Sequence, residues 1–381
     1  MAASFGLLST HPPTQCGLAT FNSALASHLT GNGVHGGVVR VTASPDDATP
    51  GPGVVHTWAA GAVAGWRGAA AALDEFDVAV VQHEYGIYPG PDGHEVLLLL
   101  RRLTVPSIVV LHTVLTNPTS RQRALLEQIV HAAGAAVVMT ETARGRLQTG
   151  YAIDPAKITV IPHGAADHTT PATTVRQRPH LLTWGLLGPG KGIEWALQAL
   201  AQLQDLVPSP TYTVAGRTHP KVIERHGEAY RAGLYQLGAQ LGVSTAVRFD
   251  PVYRDDAALG RLIRSADIIL LPYDSREQVT SGVLTEAVAA GIPVVATRFP
   301  HAVELLGRGP GLLVPHRNPL ALALGIRRLL TEPGLAARLV HRTTTPTLRW
   351  NAVAHRYEAL ADQLLSVRPP PRAAPTPVAA T

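Results

Sequence analysis

A polar run in the chain leads directly into an alanine-rich helical pattern that carries a single carboxylate. The stretch reads "REQVTSGVLTEAVAAGIPVVAT", and its carboxylate is Glu286. Thr280, Ser281 and Gly282 mark the expected start of the helix, where backbone N–H groups are unpaired and the positive end of the helix dipole lies. Such a helix start can bind an anion. Glu286 is then either a hydrogen-bond acceptor for the same ligand or simply an acid that the helix dipole favours.

A second candidate anion site is the glycine-rich turn of "WGLLGPGKGIEWALQAL". Gly188, Gly190 and Lys191 follow an apolar run and precede an amphipathic helix, so bare amides, a helix dipole and an ammonium would point at one place. The spacing also matches the start of a P-loop, but Gly192 stands where that motif needs Ser or Thr to hold magnesium. The turn therefore predicts a phosphate site outside the P-loop hydrolases. A plain turn with a solvated lysine stays the alternative.

Polar side chains also follow several apolar runs of the first half. His83 and Glu84 end "DVAVVQHE", His112 ends "SIVVLHT" and His163 ends "ITVIPHG". A single histidine of this kind is more often structural than catalytic. Because ligands of open parallel sheets bind beyond the carboxyl ends of the strands, three histidines at three such ends indicate a functional cleft, with His112 as the strongest candidate.

The elements that must position these residues form a repeating pattern. Short β-branched or apolar runs alternate with alanine- and leucine-rich helical segments, which is typical of parallel sheets covered by helices on both faces. The pattern occurs twice, and 381 residues exceed what one core usually serves. We therefore predict an α/β protein with two parallel-sheet domains facing a cleft. The predicted units are a first domain (1–168), a Thr/Pro-rich linker (169–180), a second domain (181–345), a last helix (346–367) and a disordered Pro/Ala tail (368–381).

Composition limits the classes of partner and compartment. The 46% of apolar residues and 15% of charged residues are typical of a globular protein, and the net charge of +5 comes without a long basic run, so no nucleic-acid partner is expected. Cys16 is the single cysteine, which rules out an internal disulfide framework. No leader and no apolar stretch of membrane-spanning length is evident, and we expect a cytoplasmic protein. No Asp-x-Asp clamp or zinc-helix histidine pair occurs, so no obligatory metal is expected.

Several of these segments, in order and spacing, resemble the retaining glycosyltransferases of family 4. In the second half they are "GLLGPGKGIEWALQALA", "YTVAGRTHP", "ADIILLPYDSREQVTSGVLTEAVAAGIPVVATRFPHAVELL" and "GLLVPHRNP"; in the first half they are "STHPPTQCGLATFNSALASHL" and "ITVIPHGAAD". The resemblance spans about Ser4 to Leu364. It implies the GT-B fold of two Rossmann-like domains, a nucleoside diphosphate sugar bound mainly to the second domain, and a last helix that crosses back to the first.

The resemblance also implies roles for individual residues. Glu286 would accept the ribose hydroxyls of the nucleotide, and Gln278, eight residues earlier, stands where the family usually has an acid that binds the transferred sugar. The amides of Thr280, Ser281 and Gly282 would face the distal phosphate and the sugar. Near the glycine-rich turn the family's usual arginine is replaced by Leu186.

The remaining roles concern the diphosphate, the sugar and the acceptor. Lys191 would hold the diphosphate. Arg217 could supply the second positive charge, which is missing because Leu186 replaces the family's usual arginine. His112 would contact a hydroxyl of the sugar, and Gly17 would lie against the phosphates unless its segment is only a helix cap. His83, Glu84 and His163 are acceptor-side candidates.

The resemblance implies sugar transfer with retention of configuration and no cofactor besides the sugar-nucleotide donor. The nucleotide, the sugar and the acceptor stay open, and the acceptor would be a sugar, a lipid or another small molecule, with peripheral membrane contact open as well. Two alternatives share the fold. A non-catalytic nucleotide-sugar sensor would explain the departures at Leu186 and Gln278, and a sugar-nucleotide epimerase would need acids in the cleft that no evident carboxylate pair supplies.

Overall fold

The structure is a computed structural model that describes residues 2–44, 47, 51–168, 178–307, 309–341 and 346–367. The strands are β1 Phe5–Ser9, β2 Gly36–Thr42, β3 Val54–Ala59, β4 Val78–His83, β5 Ser107–Leu111, β6 Ala135–Val138, β7 Ile158–Val160, β8 His180–Trp184, β9 Thr211–Ala215, β10 Val247–Asp250, β11 Ile268–Leu271, β12 Val294–Thr297 and β13 Gly311–Val314.

The helices alternate with these strands along the chain. They are α1 Gly17–Leu29, α2 Trp66–Leu73, α3 Glu95–Arg102, α4 Ser120–Ala132, α5 Glu141–Gly150, α6 Ile193–Ala201, α7 Pro220–His226, α8 Ala229–Gln240, α9 Asp256–Arg264, α10 Gly282–Ala289, α11 Pro300–Leu306, α12 Pro319–Thr331, α13 Leu335–Val340 and α14 Trp350–Val367. Short 3₁₀ turns occupy Gly31–Gly33, Pro91–Gly93, Pro155–Lys157 and Pro346–Leu348.

The strands form two sheets in which every pairing is parallel. The first has seven strands in the order β3-β2-β1-β4-β5-β6-β7, and the second has six in the order β10-β9-β8-β11-β12-β13. Both orders reverse direction at a switch point, β1/β4 and β8/β11, as in doubly wound folds. The predicted fold class, two Rossmann-like parallel-sheet domains, is confirmed.

Each sheet is covered on both faces because successive strand residues point to opposite sides. In β1, Leu8 packs with helices α2 to α4 while its neighbour Leu7 packs with α1. In the second sheet Leu181 and Leu182 of β8 likewise enter two different clusters. All four side chains are fully buried, which is why these strands have near-continuous apolar sequences rather than alternating ones.

The last helix returns to the first sheet. Val353, Tyr357 and Leu360 of α14 pack in the same cluster as Leu7 and Leu25. Just before α14 the chain crosses the loop after β7, where the Ala165 amide donates to the carbonyl of Leu348 at 2.7 Å. Residues of the predicted linker up to 177, and the predicted Pro/Ala tail from 368, lie outside the described residues. In the described part of the chain, no helix combines the length and apolarity that spanning a membrane requires.

Candidate active site

The strand ends of the two sheets face a common cavity of about 610 Å³, within the range of small-molecule sites. Loops from both halves line it. Its lining includes, of the predicted residues, Gly17, Glu84, His112, His163, Lys191, Arg217, Gln278, Thr280, Ser281, Gly282 and Glu286. The structure therefore brings together residues that are up to 269 positions apart in sequence, from Gly17 to Glu286.

The glycine-rich turn between β8 and α6 is held in a fixed shape by the loop after β11. The Asp274 amide donates to the Gly190 carbonyl at 2.9 Å, which ties the turn to the loop after β11. At Gly192, φ is +64° and a Cβ would lie 1.8 Å from the Pro272 carbonyl oxygen, so the Ser or Thr of a P-loop cannot fit there. This excludes the P-loop arrangement on steric grounds.

Lys191 projects from this turn into the cavity. Its Nζ lies 4.5 Å from the centre of the Tyr273 ring, a cation–π contact. Burial lowers the pKa of the ammonium, since desolvation disfavours the charged form. No acceptor from the described residues bonds to this Nζ, which leaves its donors for an anionic ligand.

The other predicted cation, Arg217, is exposed at the end of β9. Its guanidinium donates to Gln15 Oε1 at 2.7 Å, a residue of the loop before α1 in the first half. Leu186 also lines the cavity, where the family's usual arginine would be, and Arg254 lines it from the loop before α9. Arg217 thus reaches the cavity but is tied across the cleft rather than free. Gly188 stays in the turn, where a Cβ would lie 3.0 Å from Val222.

The start of α10 differs from the prediction in one respect. Ser281 caps the helix, with its hydroxyl accepting from the Leu284 amide at 3.2 Å. Its own amide donates to His301 Nδ1 at 2.8 Å, so the expectation of a free Ser281 amide is wrong. His301 follows Pro300 at the start of α11, and burial together with the neighbouring His163 lowers its pKa to about 3, which keeps the ring neutral and able to accept. Within the described residues, the amides of Gly282 and Val283 are left without a partner.

Gln278 lies in the loop before α10. Its Nε2 donates to the carbonyl of Thr280 at 3.1 Å, a bond that the family's usual carboxylate could not make. The Thr280 hydroxyl is buried without a partner in the described residues. The neighbouring Glu277 points across the cleft instead, where its carboxylate accepts from the Thr116 amide and from Arg146.

Glu286 is held from the other half of the molecule. Both carboxylate oxygens accept from the Ala166 amide at 3.2 Å, and Oε2 pairs with His168 Nε2 at 2.5 Å. His168 is almost fully buried. Sequence reasoning missed His168 because it follows an irregular loop, 118 residues before its partner, and no local pattern marks it.

His112 stands at the end of β5 inside the cavity. Its Nε2 lies 2.8 Å from Gln82 Oε1, and Phe21 packs edge-on against its ring at 4.8 Å between ring centres. Burial, with smaller contributions from His163 and His83, lowers the pKa of His112 to about 3. The ring is therefore neutral near pH 7, with Nε2 donating to the amide oxygen and Nδ1 left as an acceptor.

Of the three acceptor-side candidates, His163 and Glu84 line the cavity and His83 does not. His163 lines the cavity, donates from Nδ1 to the Gly164 carbonyl at 2.6 Å, and leaves room only for glycine at 282, where a Cβ would lie 2.7 Å from its Nε2. Glu84 also lines the cavity. His83 does not: its ring is buried in the sheet with both nitrogens unpaired among the described residues, and burial lowers its pKa to about 4.

The turn before α1 caps the helix and also lines the cavity. Cys16 caps the helix through Sγ, 3.4 Å from the Ala19 amide, so the thiol has a structural role. Gly17 lines the cavity, and a Cβ there would meet nothing within 4 Å. The described residues contain no group of three or more His, Cys, Asp or Glu side chains arranged to hold a metal ion.

The fold and this cavity together define a GT-B protein, and comparison with known proteins gives the family. The model of the glycosyl transferases group 1 matches residues 178–332, and that of glycosyltransferase family 4 matches residues 17–167. Together these matches cover most of the chain, one for each sheet. The chain belongs to the family 4 glycosyltransferases, as the resemblance in sequence implied.

Individual relatives and structures support the family and the fold. D-inositol 3-phosphate glycosyltransferases are similar to parts of the chain: that of Streptomyces bingchenggensis is 29% identical over 65% of this chain and 58% of its own length, and that of Acidothermus cellulolyticus is 32% identical over 58% and 51%. The chain thus spans only a little over half the length of these relatives. Sucrose-phosphate synthase from Thermosynechococcus elongatus shares the fold, with a TM-score of 0.76 at 19% identity over 96% of this chain and all of that one. Anabaena HepE in complex with UDP and glucose gives a TM-score of 0.67 at 16% identity over 96% and 98%.

Proposed function

We propose that the protein transfers a sugar from a nucleoside diphosphate sugar to a hydroxyl acceptor with retention of configuration. The observation that carries the proposal is the single cavity in which Lys191, Glu286, Gln278 and His112 meet. These are the positions to which the family resemblance assigns the diphosphate, the ribose and the sugar. HepE, which shares the fold, binds UDP, and a uridine donor is therefore the first to test.

In this proposal the protein contributes positioning and electrostatics rather than a nucleophile. Negative charge gathers on the departing diphosphate as the bond to the sugar breaks, and Lys191 with the free amides at the start of α10 stabilises it. Arg217 can join them if it releases Gln15. The leaving phosphate oxygen takes the proton of the acceptor hydroxyl on the same face of the sugar. Neutral His112 offers Nδ1 to a sugar hydroxyl while Gln82 holds its other nitrogen.

Glu286 would take up the ribose without losing its present contacts. A carboxylate has about four lone-pair sites, and the three hydrogen bonds from Ala166 and His168 leave capacity for a hydroxyl. We further propose that no metal ion or organic cofactor is required. A nucleoside diphosphate that binds equally with magnesium and with a chelator present would support this, and binding lost on chelation would contradict it.

The test is a thermal-shift screen against nucleoside diphosphate sugars, followed by turnover. A ligand present at a hundredfold its dissociation constant should stabilise the protein by about 2.7 kcal/mol. Release of the nucleoside diphosphate from the stabilising donor then separates a transferase from the alternative, a non-catalytic sensor, which would bind without turnover. A donor that is converted to its epimer would instead favour the epimerase alternative.

A further inference from the structure

We propose that the acceptor end of the cavity takes a neutral, hydroxyl-bearing molecule, and that Glu84 selects this molecule against phosphorylated acceptors. This rests on the proposed function, since it assigns the chemical class of the second substrate of that reaction. It sets the chain apart from the relatives whose names specify an inositol phosphate.

The position of Glu84 is fixed beside His112. Strands β4 and β5 pair in register at His83 and Leu111, so Glu84 and His112 are the first residues beyond the paired ends and lie side by side. Glu84 Oε2 accepts from the Thr113 hydroxyl at 2.5 Å, and Oε1 accepts from the Tyr85 amide at 3.0 Å. The carboxylate is therefore anchored at the cavity wall next to the histidine that the proposed reaction places at the sugar.

The cations of the cavity all come from one of its two walls, which also contributes Asp256, Glu277 and Glu286. Among the described residues that line it, the cations are Lys191, Arg217 and Arg254, all from the second half, where the donor diphosphate would lie. The first half contributes Glu84 to the lining and neither lysine nor arginine. An acceptor phosphate on that wall would meet a carboxylate and no cation, and the interaction would be repulsive.

Two arginines on helices near this wall already form salt bridges with carboxylates. Arg121 of α4 pairs with Asp92 at 2.6 Å, and Arg146 of α5 pairs with Glu277 at 3.0 Å. Two histidines of this wall, His112 and His163, do not supply charge either, because burial lowers the pKa of each ring. The third, His168, is already hydrogen-bonded to the carboxylate of Glu286.

A hydroxyl-bearing acceptor suits the same wall. An ionised carboxylate is a strong acceptor for hydroxyl donors, and Glu84 has lone pairs left after its two bonds. It can hold one hydroxyl of the acceptor and so orient a second one toward the sugar. A cation that could oppose this lies outside the cavity lining: Lys221 of α7, whose Nζ lies against Gly86.

The experiment compares matched acceptor pairs with the full chain and the donor found by the thermal screen. The pairs are myo-inositol with inositol 3-phosphate and glucose with glucose 6-phosphate. The measured quantity is kcat/KM for release of the nucleoside diphosphate, after subtracting the release that donor hydrolysis gives without acceptor. We expect the neutral member of a pair to be used at least tenfold better. Glu84→Gln should lower kcat/KM for the neutral member about tenfold and narrow the ratio within the pair. The control is Glu75→Gln, which removes an exposed carboxylate before β4, at the opposite edge of the sheet. It should change neither the kcat/KM for the neutral acceptor nor the ratio of kcat/KM values within the pair.

Three results would overturn the proposal. They are a preference for the phosphorylated member, an unchanged ratio in Glu84→Gln, and a chain that hydrolyses the donor but uses neither member of any pair. Loss of a phosphate preference in Lys221→Ala would then identify Lys221 as the group that binds the phosphate. A chain that neither binds nor hydrolyses any nucleoside diphosphate sugar would refute the proposed function itself, and the acceptor assignment would fail with it.

Discussion

At the scale of single residues, the cavity is a set of polar groups whose partners determine what each can still bind. Lys191 has no acceptor among the described residues, whereas Arg217 is tied to Gln15. Glu286 is partly occupied by His168. Of the three cations among the described lining residues, Lys191 is therefore the one available without rearrangement. In the proposed reaction, the charge of the leaving group would depend on it most.

Replacing Lys191 by Ala should lower kcat/KM about a hundredfold, or about 2.7 kcal/mol, because the developing diphosphate charge loses its free cation. The measurement is steady-state kinetics with the donor from the thermal screen, and unfolding curves serve as the control for folding. Unchanged kinetics would show that the glycine-rich turn has no role in transfer.

Gln278→Glu should weaken binding of the sugar part of the donor. The new carboxylate would face the Thr280 carbonyl, to which Gln278 now donates at 3.1 Å, so a hydrogen bond becomes a repulsion and the loop must shift. The expected loss is about 1–3 kcal/mol. Calorimetry with the nucleoside diphosphate and with the full donor measures it.

The matched comparison for this change is Glu286→Gln, which should weaken both ligands alike because both carry the ribose. If Gln278→Glu affects the nucleoside diphosphate as much as the full donor, the position does not face the sugar.

Buried histidines make stability depend on pH. The pKa values of His83, His112 and His301 are lowered to about 4, 3 and 3 by burial. The unfolded chain therefore binds more protons than the folded chain below pH 6.5, and stability falls as pH decreases from 6.5 toward 4. Each histidine adds at most about 1.4 kcal/mol per pH unit to this slope.

Urea unfolding at pH 7 and pH 5 measures the slope, and His83→Phe isolates one contribution. Because both ring nitrogens of His83 are buried and unpaired, the apolar replacement should fold and should flatten the dependence. An unchanged slope would mean that His83 stays neutral in the unfolded chain as well or titrates normally in the fold.

At the scale of elements, the sequence predicts the features that depend on local pattern, such as turns and helix starts. The turn at Lys191 and the start of α10 were located correctly because glycine spacing and helix-start residues act within a few positions. The contacts of Glu286 with His168 and of Ser281 with His301 were not, since each joins segments whose proximity depends on how whole helices pack. The burial of His83 was missed for a related reason. The local sequence around a histidine at a strand end is the same whether its ring turns toward the cavity or into the sheet.

Helix α5 shows the same limit and has a role of its own. Its Arg146 donates at 3.0 Å to the carbonyl of Val114, on the loop that carries His112, and to both the carbonyl and the carboxylate of Glu277 beside Gln278. At the N-terminus of the helix, the Glu304 carboxylate accepts from the amides of Glu141 and Thr142 at 2.8 Å. One helix of the first half thus binds the second half twice, at its N-terminus and through Arg146 near its middle.

Arg146→Gln should lower kcat about tenfold while leaving nucleoside diphosphate affinity nearly unchanged, because it loosens the loops of His112 and Gln278 but not the nucleotide contacts. Separate kcat and KM values and a binding titration measure this split. Arg144→Gln is the matched control: among the described residues Arg144 forms a salt bridge with Glu141 of the same helix and with no residue of the second half, so the change should have no effect. An equal loss in both variants would point to helix stability rather than to the bridge.

At the scale of the whole molecule, the cavity exists only where the two sheets meet. Its walls are joined by contacts that span the cleft, among them Thr20 with Tyr253 at 2.9 Å and Arg217 with Gln15. Most are exposed polar contacts, which contribute little individually. The relative position of the two domains can therefore respond to a ligand that bonds to both walls, as the proposed donor and acceptor would.

The return of α14 to the first sheet has a consequence for synthesis on the ribosome. The first domain emerges complete in strands by residue 168, yet the helix that covers Leu7 and Leu25 begins at Trp350. Until α14 has been synthesised, this apolar face of the first domain is covered by α1 alone and stays open where α14 packs. A fragment of residues 1–168 should accordingly aggregate or bind a hydrophobic dye, and a fusion of the same fragment to residues 346–367 through a flexible linker should be monomeric. Equal behaviour of the two fragments in gel filtration would show that the first domain needs no such closure.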